Sequence, residues 1–206
     1  MSKIISRTMI GNFGLFETLC IITVAVVGIV TVISLPNFQR SRSCGGETAA
    51  VASCKSYCTA QDIYRRIDYN KDGVLEYAQA LSGDNSLFET KAGLGDIAMI
   101  DRSFANAEGY SATAVPKAGY CFKILTKQSA KAPGGAKNFI ENGHMIYGYA
   151  LVAYPVHYDE MARNNRNTFM VSNTGTIYEK DLGLETLSII EKMTEFNPDE
   201  TWVVTE

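Results

Sequence analysis

The chain of 206 residues is poor in the residue types that many catalytic and metal sites use. It has two histidines, His144 and His157, and a single tryptophan. His144 follows an Asn-Gly turn, and neither histidine is spaced from a cysteine as zinc ligands are. The chain also lacks a phosphate-binding glycine loop and a dinucleotide-binding fingerprint. The sequence therefore predicts a protein that is not an enzyme and has no organic cofactor.

The chain also has no large excess of charge of either sign. The formal net charge is -3, and no basic patch with interleaved aromatic residues is present, so a nucleic-acid partner is not expected. Lys3 and Arg7 precede an apolar run, and Arg40 and Arg42 follow it. Because a short basic N-terminus usually stays in the cytoplasm, we expect the residues that follow the run to be exported.

The apolar run covers residues 18–39, which contain no charged side chain. A helix of about 20 apolar residues can cross a bilayer. A cleaved secretory signal would need small residues after the run, and a lipoprotein would need them before Cys20, but the sequence supplies neither. We therefore predict a transmembrane helix here, with a plain uncleaved anchor as the alternative to a processed one.

Residues 14–38 resemble the N-terminal segment of type IV pilins and of the pseudopilins of type II secretion systems. In that family, a basic leader ends in Gly, and the mature apolar helix has an early Glu, a central Gly and a Pro-Asn pair. The positions that carry the resemblance are Gly14, Leu15, Glu17, Gly28, Pro36 and Asn37. Glu17 lies two positions earlier than the family's Glu. If the mature chain began at Phe13, Glu17 would stand at the family's Glu position, but Asn12 would precede the cleavage site. Cleavage after Gly14 is therefore preferred.

The resemblance implies a leader at residues 1–14, cleavage by a prepilin peptidase and methylation of the new N-terminus at Leu15. Glu17 would meet the N-terminal amine of a neighbouring subunit, and a Glu facing water at the headgroup boundary is the alternative. Gly28 and Pro36 would belong to the helix that packs against other pilin-like subunits. The location would be the bacterial inner membrane, with one pass and a periplasmic or extracellular head.

Five cysteines are present, of which Cys20 lies in the apolar run. The other four would lie outside the cytoplasm, where an even number of cysteines indicates up to two disulfides with three possible pairings. These disulfide candidates are Cys44, Cys54, Cys58 and Cys121. Free thiols are the alternative.

The remaining pattern predicts an α+β fold. A long pilin-like helix over residues 15–67 would be kinked at Pro36, and an exported head over residues 68–206 would follow it as an antiparallel β-meander with flanking helices. Short helices are predicted near 77–81, 97–107 and 185–193. Strands are predicted at 119–127 and 145–154, and a hairpin at 168–179 around Asn173-Thr174-Gly175.

The head also resembles a known group. Its matching segments are Gly119–Thr126, Ala132–Ala136, Gly148–Pro155, Gly175–Gly183 and Phe196–Asp199. They are similar to an uncharacterised bacterial exported DUF-type family. This resemblance implies an envelope location and supplies no chemistry.

One metal site is predicted in the loop that follows the first helix. Asp68, Asn70 and Asp72 stand at positions 1, 3 and 5 of an EF-hand-type calcium loop, with Gly at position 6. Glu76 stands at position 9, whereas position 12 is Gln79 and not the usual Glu. The pattern predicts weak calcium binding, and an Asx-rich turn that closes the helix is the alternative.

The sequence as a whole predicts a pilin-like structural subunit that assembles through its N-terminal helix into a filament or secretion pseudopilus. Its expected partners are the membrane, further subunits and the peptidase. Two alternatives are an anchored envelope binding module that does not polymerise and an envelope enzyme of unknown chemistry.

Overall fold

The computed structural model describes residues 45–89, 97–109, 114–158 and 165–205. These residues belong to a unit that covers residues 43–206. In chain order, the elements are α1 (residues 45–64), β1 (Ala80–Ser82), β2 (Ser86–Glu89), β3 (Ile97–Ala98), α2 (Arg102–Ala105), β4 (Tyr120–Leu125), β5 (Lys127–Gln128), β6 (Lys137–Asn138), β7 (Ile140–Glu141), β8 (His144–Met145), β9 (Ala150–Pro155), β10 (Asn167–Ser172), β11 (Ile177–Asp181), a 3-10 helix (Gly183–Glu185), α3 (Thr186–Lys192) and β12 (Val203–Val204).

The main sheet has five antiparallel strands in the order β12-β11-β10-β9-β4. Strand β9 lies between β10 and β4 and reads as one apolar run, Ala-Leu-Val-Ala-Tyr-Pro. All six of its residues are buried, as expected for a strand that is covered on both faces. The predicted strands at 119–127 and 145–154 are both present, as β4 and β9, although the second begins five residues later than predicted, at Ala150.

The helices α1 and α3 cover opposite faces of this sheet. Tyr120 of β4 packs on Phe169 of β10, with ring centroids 6.0 Å apart, on the face where Phe169 and Val51 of α1 line a common cavity. Lys123 is three residues further along β4 and therefore points to the other face. There its Nζ donates to the carbonyl oxygen of Ile190, 2.8 Å away, near the C-terminus of α3.

The predicted hairpin between β10 and β11 is confirmed. Val171 pairs with Ile177 in the antiparallel ladder, and the N–H of Gly175 donates to the carbonyl oxygen of Ser172 at 2.9 Å. Gly175 has a φ of +77°, a conformation that glycine adopts without a steric penalty. The helix predicted at 185–193 is also confirmed, as α3.

Two short helices were placed incorrectly by the sequence pattern. Residues 77–79 are irregular and lead into strand β1, because the N–H of Tyr77 donates to Met145 and that of Ala78 to the Gln61 side chain. In the range 97–107, only Arg102–Ala105 is helical, since Ile97–Ala98 pairs with β2. Tertiary hydrogen bonds take the backbone groups that a helix would use.

The predicted pilin-like fold class is wrong for the described chain, which is mainly a β-sheet domain with small helices. Helix α1 is amphipathic: Cys54, Tyr57 and Ala60 are buried, whereas Lys55 and Asp62 are exposed. No helix in the four described ranges is long and apolar enough to cross a membrane. The predicted span at 18–39 lies outside those ranges, together with Gly14, Leu15, Glu17, Gly28 and Pro36.

The same finding corrects the predicted location. A single-pass inner-membrane protein with a periplasmic or extracellular head was expected from a spanning helix, and none is found in the described part of the chain.

Candidate functional site

The loop of residues 68–76 follows α1 and closes on its first residue. One carboxylate oxygen of Asp68 accepts the backbone N–H of Asp72 at 3.2 Å, and the other accepts that of Gly73 at 2.8 Å. Lys71 and Gly73 have φ values of +60° and +86°, which let the chain turn sharply between these two bonds. The loop therefore holds its shape through hydrogen bonds to a carboxylate.

Three further side chains of the loop converge. The amide Nδ2 of Asn70 donates to Oδ2 of Asp72 at 2.6 Å and to Oε1 of Glu76 at 2.8 Å. The other oxygen of Asp72 accepts the N–H of Val74 at 2.8 Å. One amide nitrogen therefore lies between two carboxylate groups, where positive charge is favourable.

The opposite wall of this site comes from a distant part of the chain. His144 of β8 places its Nδ1 3.2 Å from Oε2 of Glu76 and 3.6 Å from Oδ2 of Asp72. The ligand atoms of Asp72, Glu76 and His144 all lie within 4.8 Å of one another. His144 was predicted to be only a turn residue, and its one local signal was the turn at Asn142 and Gly143, where both residues have positive φ.

Two hydrogen bonds to carbonyl oxygens of the hairpin hold β7 and β8 against the loop and the residues after it. The N–H of Tyr77 donates to the carbonyl oxygen of Met145 at 2.8 Å, and Nε2 of Gln79 donates to that of Gly143 at 2.6 Å. Gln79 therefore uses its side-chain amide on the hairpin, and it does not replace the position-12 Glu of an EF-hand loop.

The two acids of the site differ in burial. Glu76 is 7% exposed, whereas the side chain of Asp72 is 32% exposed. A buried carboxylate is costly without partners, and Glu76 has Asn70 and His144 as hydrogen-bond partners. The site is thus closed on the side of Glu76 and reached from solvent on the side of Asp72. Clustered oxygens of this kind suit a hard divalent cation.

Three of the four disulfide candidates lie within the described residues. Cys54, Cys58 and Cys121 carry free thiols, and no disulfide joins them within the described chain. Cys121 alternates with Tyr120 on β4 and so points away from the face that α1 covers. Burial raises the pKa of Cys54 strongly and that of Cys58 to about 11. Cys44 lies outside the described residues.

Comparison with known proteins places the chain in one group. The family described as "Protein of unknown function (DUF2950)" matches residues 37–205. This match agrees with the predicted likeness of the head to an uncharacterised family. No pilin or pseudopilin family was matched, so the predicted pilin identity is corrected. No curated protein and no solved structure matched the chain.

Proposed function

We propose that this chain, which belongs to the DUF2950 family of proteins of unknown function, is a binding protein without catalysis of its own whose domain is stabilised by a calcium ion. The ion would be held by the loop of residues 68–76. The observation that carries the proposal is the position of the Asn70 amide, within 2.8 Å of carboxylate oxygens of both Asp72 and Glu76.

The Asn70 amide stands where a cation is electrostatically favoured. Its nitrogen and oxygen are exchanged by a half-turn of the amide group. After that turn, the amide oxygen would face two carboxylates, an arrangement that is unfavourable unless a cation lies between them. Asn70, Asp72 and Glu76 would then supply oxygen ligands, and Asp68 would add one while its oxygens keep the loop closed.

His144 is proposed to be a positioning residue. Calcium prefers oxygen ligands, and a protonated Nδ1 at 3.2 Å can donate to Oε2 of Glu76. This bond would leave the other carboxylate oxygen of Glu76 directed at the ion. Groups that orient a metal ligand in this way contribute strongly to affinity.

A bound ion would connect two parts of the domain. The loop continues α1, and the hairpin of β7 and β8 contacts it through His144, Gly143 and Met145. An ion that binds only the folded state stabilises it by mass action, by about 2.7 kcal/mol at 100 times its dissociation constant. The proposed role of calcium is therefore structural.

The experiment measures calcium binding and thermal unfolding of the full chain after treatment with a chelator. Calorimetric titration is expected to show one site, and calcium is expected to raise the melting temperature. Asp72→Asn and Glu76→Gln should remove both effects. Asp84→Asn changes an exposed acid in the turn after β1 and should keep them.

Two results would overturn the proposal. One is an unchanged melting temperature of the unmodified chain in calcium. The other is zinc binding that His144→Gln abolishes, with no calcium binding, since that would make the histidine a ligand of a different metal. The predicted assembly into a filament stays a prediction, because Leu15, Glu17 and Pro36 lie outside the described chain.

A further inference from the structure

The main sheet has one covered edge and one open edge. At the covered edge, the N–H of Phe122 in β4 donates to the carbonyl oxygen of Ala107 at 2.9 Å, and the N–H of Gly109 donates to that of Phe122 at 2.8 Å. The other edge is β12, whose two residues, Val203 and Val204, are 61% and 57% exposed. Natural sheets often protect an edge strand with lysine or proline, and β12 contains neither.

The backbone of β12 has one pair of hydrogen-bonding groups that point outwards. The N–H of Thr205 donates inwards, to the carbonyl oxygen of Ile177 on β11, at 3.0 Å. Because the backbone groups of successive residues point to opposite sides of an antiparallel strand, the N–H and C=O of Val204 point away from β11. No residue of the described ranges bonds to either group. An added antiparallel strand could therefore form two hydrogen bonds with Val204.

Each face of the sheet has a concave surface beside this edge. Val203 pairs with Glu179 and Val204 with Tyr178, so the two valines point to opposite faces. On the face that α1 covers, a cavity of about 250 Å³ is lined by Glu47, Thr48, Val51, Phe169, Glu179 and Thr205. On the face that α3 covers, a groove of about 450 Å³ is lined by the buried Met170 and by Trp202, among others.

The two concave surfaces differ in charge. The cavity has two carboxylates, Glu47 and Glu179, and no basic residue in its lining. Glu47 accepts the backbone N–H of Arg166 at 3.1 Å, and Glu179 accepts the side-chain amide of Asn167 at 3.5 Å. Neither acid forms an ion pair with another residue in the described part of the chain. The groove, in contrast, is lined by two lysines and two acids, so its charges balance and its apolar side chains decide what it binds.

We infer that β12 binds an extended segment of a partner protein in which basic and apolar residues alternate. In this mode of recognition, main-chain hydrogen bonds give affinity and alternate side chains give specificity. The apolar residue opposite Val204 would point to the face that α3 covers and pack on Val204 and Trp202. The basic residues on either side of it would point to the other face, where their long side chains would reach Glu47 and Glu179.

Charge complementarity favours this occupant over a second copy of the chain. An antiparallel pair of β12 strands would bring the acidic cavities of both copies to the same face. The residues of the second copy that face this cavity would be Val203 and Thr205, which carry no positive charge. The inference rests on the proposed role of a binding protein, but it uses no residue of the loop at 68–76. The calcium titration and the test of this edge can therefore fail independently.

The test uses the fluorescence of Trp202, the only tryptophan of the chain, in the full chain with calcium in the buffer. The probe is the peptide Thr-Lys-Val-Lys-Thr with both ends blocked, and it is expected to change the fluorescence saturably. In one control peptide, glutamate replaces both lysines. In the other, a methyl group on the backbone nitrogen of the valine removes the donor to Val204. Each control is expected to bind about tenfold more weakly than the probe.

Three variants of the chain test the same contacts. Glu179→Gln should weaken binding of the probe about tenfold. Glu200→Gln removes the same charge at an exposed position outside the cavity and should leave binding unchanged. Val204→Pro removes the outward N–H, which an edge strand tolerates on its solvent side, and should also weaken binding.

Four results would overturn the inference. The first is the absence of a saturable change with the probe, and the second is equal binding of either control peptide. The third is equal affinity of Glu179→Gln and Glu200→Gln for the probe. The fourth is self-association of the chain that Val204→Pro abolishes, without binding of the probe, since that would assign the open edge to a second copy.

Discussion

Gly46 of α1 lies so close to Asn165 that no side chain fits at position 46. A methyl group there would come within 2.1 Å of Oδ1 of Asn165 and within 2.8 Å of the carbonyl oxygen of Ala118. Rotation of Asn165 can relieve the first contact, but the second is with backbone. The start of the described helix is therefore held against the turn before β4 by a close approach of main chains.

Replacement of Gly46 by alanine should destabilise the domain. The expected loss of unfolding free energy is about 1 to 3 kcal/mol, as is common for an overpacked site. Gly45 is the matched control, because a methyl group at this position meets no atom within 4 Å. Gly45→Ala should be neutral or stabilising by up to about 1 kcal/mol. Urea unfolding measures both, and equal stability of the two variants would contradict the prediction.

Gln61 joins α1 to the segment that follows the loop of residues 68–76. Its side chain is fully buried, and it donates to the carbonyl oxygen of Ala78 and accepts the N–H of the same residue, both at 2.8 Å. Gln61→Leu would leave both backbone groups unpaired, so we expect a loss of about 2 to 4 kcal/mol. Thr59→Ala, an exposed change in the same helix, should cost less than about 0.5 kcal/mol. A loss for Gln61→Leu as small as that control would refute the role of Gln61.

Thr168 of β10 offers a stabilising substitution. Its hydroxyl is buried and has no hydrogen-bond partner among the described residues. Thr168→Val removes this unpaired group with little change of shape, so the unfolding free energy should rise by about 1 to 2 kcal/mol. Thr186 is equally buried, but its hydroxyl donates to the carbonyl oxygen of Gly183 at 2.6 Å. Thr186→Val should therefore lower stability, and the same sign for both variants would rule out this explanation.

Asp101 should make stability depend on acid pH. Burial alone would raise its pKa, but hydrogen bonds from Lys117, Ser103 and the N–H of Phe104 outweigh burial and lower it from 3.8 to about 2. A carboxyl group with a lowered folded-state pKa contributes stability above its unfolded pKa and loses it as the pH falls through the folded one.

The comparison with Asp101→Asn isolates this contribution, because asparagine also caps a helix N-terminus. The unmodified chain should be the more stable one above about pH 5, and the difference should disappear between about pH 4 and pH 2. Chemical unfolding at a series of pH values measures it. A difference that is the same at pH 6 and pH 2 would show that the charge of Asp101 contributes nothing.

Local signals explain which elements could be predicted. The hairpin around Asn173 and Gly175 has both its turn residues and its alternating strands within about a dozen positions, and it forms as expected. The predicted helix near residues 77–81 fails because Tyr77 and Ala78 bond to Met145 and Gln61. Those partners lie far away in sequence, and propensity carries no information about them.

Only part of the candidate site could likewise be predicted from local sequence. Asp68, Asn70, Asp72 and Glu76 lie within nine residues, so their spacing alone brings them into one loop. His144 reaches Glu76 from 68 positions away, through a hairpin whose docking no local pattern encodes. Most of the residues behind the pilin resemblance precede position 37, where the family match begins.

The last contacts of the sheet come from the segments that follow α3. Phe196 is fully buried and exchanges backbone hydrogen bonds with Lys127 and Ser129, and β12 lies at the edge of the sheet beside β11. Until both segments have reached the sheet, a folding intermediate exposes the hydrogen-bonding edge of β11 and the unfilled site of Phe196. Such surfaces make partly folded chains prone to aggregate and are recognised by chaperones.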